Sequence, residues 1–355
     1  MTETTPLARA FELQSGACAA FGSPFSAALL QRAAADIAAG GPIVPLLAPW
    51  ADADTRAVIA DATSLRWLGA VHDLALSGEA PAISAAWPAP GAPGDADAAW
   101  TAASRAMEDQ AGHFIEVLSH EPQTNEVRRS ACLLPGFLTI ARATGLPLRI
   151  FEVGASAGLN QLWDRYGYDY GPAGSWGPDG SGVRLDAAWR GGRAPLDSAV
   201  AVASRAACDR KPVDIRDPAA RRRLKAFVWA DQFDRLARID AALTMALAAD
   251  VAVERADAVT WTAARAIPAK GAATVLVHSV FWQYMPADSQ AAMTAVVSDL
   301  GAKATPAAPF AWLRMEPPPG EPAQMELRLT LWPGGEDRRL ALVHPHGAWV
   351  EWELG

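Results

Sequence analysis

The stretch Arg149–Tyr166 reads RIFEVGASAGLNQLWDRY, and it decides the fold predicted for the chain. The run LRIFEV at 148–153 is short and apolar, as expected of a buried strand. A glycine-rich turn follows at once at 154–158, and a helical pattern begins after it. A strand, a tight glycine turn and a helix in this order are typical of the first βα unit of a nucleotide-binding α/β sheet.

Further strand candidates occur throughout the second half of the chain. Four of them alternate with helical patterns at 219–249 and 288–302, and they lie at 198–204, 251–256, 273–280 and 309–316. Such alternation predicts a mostly parallel sheet that is covered on both faces. The last segments alternate apolar and polar residues between tight turns, which predicts antiparallel strands at 325–332, 338–344 and 347–354. The fold class predicted is therefore α/β, a Rossmann-like methyltransferase-type sheet with antiparallel C-terminal strands.

The first part of the chain differs in character, because apolar residues there recur at helical spacing with almost no strand signal. A Pro-, Gly- and Ala-rich segment at 78–100 interrupts this pattern and predicts a loop. We therefore predict an all-helical domain or lid over 1–145 and a Rossmann-like α/β domain over 146–355.

Composition limits the classes of function. The chain has 355 residues, of which 51% are hydrophobic and 20% charged, as in soluble proteins with a large core. Its net charge of −8 argues against a general binder of nucleic acid or of anionic membranes. The three cysteines are far apart, so we expect neither disulfides nor a metal site. No signal peptide or membrane span is evident, and a cytoplasmic protein is predicted.

The pentapeptide GASAG at 154–158 has two functional interpretations. As GxSxG it would present Ser156 as the nucleophile of a serine hydrolase. That interpretation is weakened because the turn follows the first convincing strand and because no glycine-rich oxyanion loop precedes it. As part of E-x-G-x-S-x-G it would be a turn that lets a cofactor approach the backbone. A third interpretation is a plain βα turn without a ligand.

The cofactor interpretation accounts for more positions. Gly154 would permit the tight turn, and Gly158 would let the next helix pack closely. In Rossmann-like methyltransferases an acid at the position of Glu152 commonly contacts the amino end of S-adenosylmethionine. The predicted contacts to the cofactor's amino-acid end are therefore Glu152, Gly154, Ser156, Gly158 and Asn160.

Later strand ends supply the remaining candidates. An acid near the second strand would contact the ribose, and Asp209 is preferred to the alternative Asp186. Asp257 follows the next strand and would face the nucleoside. His278 at the end of 273–280, or Tyr284 just after it, would act as the catalytic base.

Several segments together resemble one family of uncharacterised bacterial proteins, known only as domain of unknown function 2332. They are EVGASAGLN, NEVRRS, AFVWADQFDRLARIDAAL, TVLVHSVFWQYMP and HPHGAWVEW. The resemblance implies a relative of Rossmann-like class I S-adenosylmethionine-dependent methyltransferases with an N-terminal helical part. The polar pocket candidates that it implies are Asn125, Glu126, Arg129, Glu152, Ser156, Asn160, Asp209, Arg235, His278, Gln283, Tyr284 and His346.

The function predicted is thus an S-adenosylmethionine-dependent methyltransferase that acts on a small molecule, without nucleic-acid or membrane partners. The alternatives are a serine hydrolase using Ser156 and a methyltransferase-like binding protein without catalysis. The sequence does not specify the methyl acceptor or the oligomeric state.

Overall fold

The computed structural model describes residues 5–318, 320 and 324–354. The α-helices within these ranges are α1 Pro6–Ala20, α2 Pro24–Ala39, α3 Thr55–Ala60, α4 Thr63–Ser77, α5 Pro81–Ala86, α6 Ala96–Asp109, α7 Ala111–Leu118, α8 Ser130–Thr144, α9 Pro218–Ala226, α10 Phe233–Ala248, α11 Ala258–Arg265 and α12 Ala287–Ala302. The strands are β1 Leu148–Val153, β2 Gly167–Asp169, β3 Ser175–Trp176, β4 Arg184–Asp186, β5 Ala188–Gly191, β6 Val202–Asp209, β7 Glu254–Arg255, β8 Ala273–Ser279, β9 Phe310–Glu316, β10 Met325–Trp332, β11 Glu336–Val343 and β12 Trp349–Trp352.

The chain divides into two compact units that are not contiguous in sequence. The first comprises Met1–Thr124 and Arg216–Ala237, and the second comprises Asn125–Ile215 and Arg238–Gly355. The boundary at residue 145 expected from the sequence does not coincide with this division. Helix α8 packs with the sheet of the second unit, whereas α9 packs with the helices of the first.

The first unit is helical, as expected from its apolar periodicity. Short polar residues begin several of its helices, since the side chains of Thr5 and Asp95 accept backbone N–H groups at the starts of α1 and α6. The buried side chain of Trp67 packs at the centre of its core, against Phe11 and Trp100.

Within residues 5–318, 320 and 324–354, no single helix has the length and apolar content needed to cross a bilayer. Helix α2 (Pro24–Ala39) and the 3₁₀ segment Val44–Trp50, which are bent by 85° relative to each other, reach that length and apolar content only when they are taken together.

The second unit contains a nine-stranded sheet with the order β5-β12-β11-β10-β9-β8-β1-β6-β7. From β9 to β7 all neighbouring strands are parallel. Numbered by their position in the chain and read across the sheet from β7 to β9, these five strands have the order 3-2-1-4-5, which matches five of the six strands of a Rossmann sheet. Strands β9 to β12 then form an antiparallel meander, which confirms the predicted α/β class with antiparallel C-terminal strands.

Some local predictions need correction. The strand expected at 198–204 runs from Val202 to Asp209, because its pairing with β1 sets its limits. The strand expected at 251–256 shrinks to Glu254–Arg255. The single helical pattern at 219–249 is interrupted between α9 and α10. The Gly and Pro residues of the segment 166–182 favour a loop, but the segment contributes β2 and β3 to a three-stranded sheet with β4.

Gly136 allows a close helix–sheet contact in the second unit. A Cβ atom built on Gly136 of α8 would lie 2.5 Å from Cδ1 of Leu313 on β9. Since core neighbours resist such overlap, a side chain at this position must displace Leu313.

We expect Gly136→Ala to lower the free energy of unfolding by about 1–3 kcal/mol, although alanine favours helix more than glycine does. Gly16 in α1 is the matched control, because a Cβ atom there meets nothing within 4 Å. Gly16→Ala should raise the free energy of unfolding by up to about 1 kcal/mol. Urea unfolding measures both changes, and equal effects of the two substitutions would contradict the close contact.

Candidate functional site

The candidate site lies at the carboxyl ends of β1 and β8. Glu152 pairs in register with Ala207 of β6 on one side and Val277 of β8 on the other. The chain order of the parallel strands reverses here, since β6 and β8 lie on opposite sides of β1. In open α/β sheets, ligands bind in the crevice outside the strand ends at such a switch point.

The backbone of the turn after β1 explains its small residues. Gly154 and Gly158 have φ values of 67° and 72°, which favour glycine. Ser156, between them, also has a positive φ of 54°. A non-glycine residue in the left-handed region costs of order 1–3 kcal/mol, and such residues cluster at functional sites.

Asp209, the predicted ribose contact, restrains the backbone of this turn through hydrogen bonds. Its Oδ2 accepts a hydrogen bond from the Ser156 N–H at 2.8 Å, and its Oδ1 accepts one from the Lys211 N–H at 2.8 Å. The carboxylate therefore holds the Ser156 backbone in place. A carboxylate has about four acceptor positions, so Asp209 keeps capacity for a ligand hydroxyl.

Glu152 is the most unusual group of the site. Its side chain is buried, with the residue only 6% exposed, and Oε2 has no hydrogen-bond partner among the residues described. Burial, with a smaller contribution from the negative charge of Asp209, raises the pKa of Glu152 from 4.5 to about 8. Glu152 is consequently protonated at neutral pH, in a position where an added positive charge would ionise it.

Two further polar atoms near the turn are buried without partners in the described part of the chain. They are Oγ of Ser156 and Nε2 of Gln161. Nε2 of Gln161 lies against Gly158, 2.7 Å from where a Cβ atom would be. Buried polar atoms are normally paired, so these groups are available to a ligand.

Asn160 is committed to the protein scaffold. Its Oδ1 accepts the Ser130 hydroxyl at 2.8 Å, and its Nδ2 donates to the Glu126 carbonyl at 3.4 Å. Asn125 accepts the Leu159 N–H at 2.9 Å through its side chain. The NEVRRS segment thus supports the far end of the glycine turn.

The other two predicted acids lie elsewhere. Asp257 is exposed and caps α11, where its Oδ1 accepts the Val259 and Thr260 N–H groups. Asp186, the alternative ribose acid, belongs to the small sheet and pairs with Arg128.

His278 is enclosed in a hydrogen-bond network. Trp312 Nε1–H donates to His278 Nε2 at 3.0 Å, so Nε2 carries no proton in this arrangement. Nδ1–H then donates to Oε1 of Glu316 at 2.6 Å. Because both ring nitrogens have partners and the residue is 1% exposed, this geometry gives His278 a positioning role. Its role as catalytic base stays a prediction from the sequence.

The segment after β8 contains strain and exposed aromatic surface. Val280 has a φ of 53°, which is unfavourable for a β-branched residue. Phe281 covers Gly154, because a Cβ atom there would lie 2.3 Å from Cδ2 of Phe281. Tyr284, the other predicted base, is 72% exposed.

A serine–histidine pair is missing from the described geometry. The Ser156 hydroxyl has no hydrogen-bond partner there, and the nitrogens of His278 bind Trp312 and Glu316. A nucleophilic serine needs a base within hydrogen-bond reach, so the site lacks the arrangement that the hydrolase interpretation requires.

Sequence reasoning missed Gln161, Phe281 and Glu316. Glu316 ends β9, so the rule that selected acids at strand ends would have found it. The position of Phe281 depends on a contact with the β1 turn that has no local sequence signal.

We predict that Glu152 makes stability depend on pH. Between pH 4.5 and 8 the folded protein retains a proton that the unfolded chain has lost, so the free energy of unfolding falls as pH rises. The contribution is about 1.4 kcal/mol per pH unit. Glu152→Gln should remove this slope in urea unfolding, whereas the control Glu254→Gln, at an exposed acid, should keep it. Identical slopes in all three proteins would contradict a protonated Glu152.

Comparison with known proteins identifies the family. A family model described as an uncharacterized protein conserved in bacteria (DUF2332) matches residues 8–352. No curated protein and no solved structure matches the chain. The family match spans both units, and the chain belongs to this family of conserved bacterial proteins.

Proposed function

We propose that the second unit binds S-adenosylmethionine and that the protein is a methyltransferase for a small molecule. The observation that carries this proposal is the buried carboxyl group of Glu152 beside a glycine turn at the switch point, with an Oε2 that has no partner among the described residues. A ligand that brings an ammonium group to this position would satisfy Oε2 and ionise Glu152.

The residues around the turn offer more contacts to the amino-acid end of such a cofactor than to its nucleoside end. Glu152 and Ser156 offer the amino-acid end a carboxyl oxygen and a hydroxyl that have no partner in the described part of the chain. Gly154 and Gly158 keep the backbone of the turn free of side chains, and Asn160 supports it. For the nucleoside end, Asp209 retains acceptor capacity, whereas Asp257 is engaged in capping α11.

When bound, S-adenosylmethionine supplies an electrophilic methyl group. In this proposal the chain binds and orients the reactants, and His278 fixes the β8 end through Glu316. Tyr284, exposed beside the same strand end, remains the candidate to accept a proton from the methyl acceptor.

The proposal includes a cytoplasmic location and small-molecule partners. The three cysteines are free, buried thiols, which suits a reducing compartment. The net charge of −8 gives no support to binding of nucleic acid.

Calorimetric titration with S-adenosylhomocysteine tests the proposal. Below pH 8 binding of its ammonium group should displace the Glu152 proton, with release of about one proton per ligand near pH 7. Titrations in buffers of different ionisation enthalpy measure this release. Glu152→Gln should abolish the release and weaken binding by about 10- to 100-fold.

Glu254→Gln is the matched control and should bind with the affinity and proton release of the wild type. Absence of heat with S-adenosylmethionine and S-adenosylhomocysteine at millimolar concentration would contradict the proposal. Labelling by a fluorophosphonate that is lost in Ser156→Ala would instead establish Ser156 as a nucleophile.

A further inference from the structure

The glycine surface that a ligand would approach is already covered by the protein itself. The Phe281 ring packs on Gly154, where a Cβ atom would lie 2.3 Å from Cδ2 and 2.7 Å from Cγ of Phe281. Gly154 lies two residues after Glu152 and two before Ser156. Each of these neighbours has a buried polar atom, Oε2 and Oγ respectively, without a partner among the residues that the structure describes. The ring therefore joins the two loops that border the switch point.

Specific polar contacts hold Phe281 in this position. Its backbone N–H donates to both carboxylate oxygens of Glu316, at 3.0 and 3.2 Å. Glu316 is fixed in turn by the Nδ1–H of His278 at 2.6 Å. The ring of Trp282 stacks on His278, with centroids 5.7 Å apart and an interplanar angle of 16°.

Val280, the residue before Phe281, has a strained backbone conformation in this arrangement. Val280 must adopt a φ of 53° to place Phe281 over Gly154, and its N–H bonds to the Met315 carbonyl at 2.9 Å. A β-branched residue reaches this conformation only when its surroundings impose it. A backbone rotation at Val280 would relieve the strain and move the Phe281 ring away from Gly154. It would also break the hydrogen bonds from the Phe281 N–H to Glu316.

We propose that Phe281 is an autoinhibitory gate of this site, with Val280 as its hinge and Glu316 as its latch. The inference rests on the proposed function, because the ring occupies the Gly154 surface that the cofactor's amino-acid end would take. Opening exposes the glycine turn, and the ligand and Phe281 exclude one another. The affinity of the wild type is then reduced by the small fraction of molecules in which the gate is open.

Calorimetry of Phe281→Ala with S-adenosylhomocysteine gives the first test. The variant should bind on the order of tenfold more tightly than the wild type, because no ring has to leave. Phe227→Ala is the matched control, since Phe227 covers Gly69 in the first unit in a similar contact. It should leave the affinity unchanged. Equal or weaker binding by Phe281→Ala would show that the ring is a wall of the ligand site, and it would overturn the gate.

Hydrogen exchange without any ligand gives the second test. Amides of residues 280–284 should exchange by local opening, faster than those of β8. Glu316→Gln should accelerate exchange at 280–284 by about tenfold while β8 and β9 keep their protection. The gate would be overturned if the amides of 280–284 exchanged as slowly as those of β8, or if Glu316→Gln did not accelerate their exchange. This result does not depend on ligand binding by any variant.

The two tests separate the gate from the proposed function. If residues 280–284 open locally and no protein binds S-adenosylhomocysteine, the proposed function fails, and the gate fails with it as a control of cofactor binding, although Phe281 still opens locally. If the ligand binds with proton release and Phe281→Ala gains no affinity, the proposed function stands and the gate fails.

Discussion

A single buried carboxyl group, that of Glu152, constrains the whole candidate site. It lies near the carboxyl end of β1, the middle one of the five parallel strands, where desolvation disfavours its charge and Asp209 adds a second negative group. The folded protein avoids a buried charge by keeping Glu152 protonated, but this leaves Oε2 without a partner among the described residues. Removing this carboxyl would relieve an unfavourable burial, which supports the proposed ligand contact over a role in stability.

Other polar residues of the site serve mainly to hold backbone in unfavourable conformations. Asp209 fixes the N–H of Ser156, which has a positive φ. Glu316 fixes the N–H of Phe281, which follows the strained Val280. One carboxylate thus braces each of the loops that follow β1 and β8. This division of roles explains why an acid at a strand end is an ambiguous signal, since it can bind a ligand or restrain a turn.

The sequence predicts the parts of this site that depend on local pattern. Strand β1, the glycine turn and Glu152 follow from a short apolar run and its immediate neighbours. The part of the small sheet that lies within 166–182 also has a local signal in the sequence, because Tyr166, Tyr168 and Tyr170 alternate, and all three are buried. The Gly and Pro residues of the same segment, however, favour a loop. The pairing of His278 with Trp312 and Glu316 does not follow from local pattern, because these residues are 34 and 38 positions away in the chain and meet it only through sheet register.

Whether Glu152 is protonated at neutral pH can be measured by an NMR titration of its carboxyl group. The protein is labelled with ¹³C at glutamate side-chain carboxyls, and Glu152→Gln assigns the resonance. We expect a pKa of about 8 for Glu152 in the free protein, falling below neutrality when S-adenosylhomocysteine is bound. A pKa of Glu152 near 4.5 that the ligand does not change would show that neither burial nor a ligand controls its proton.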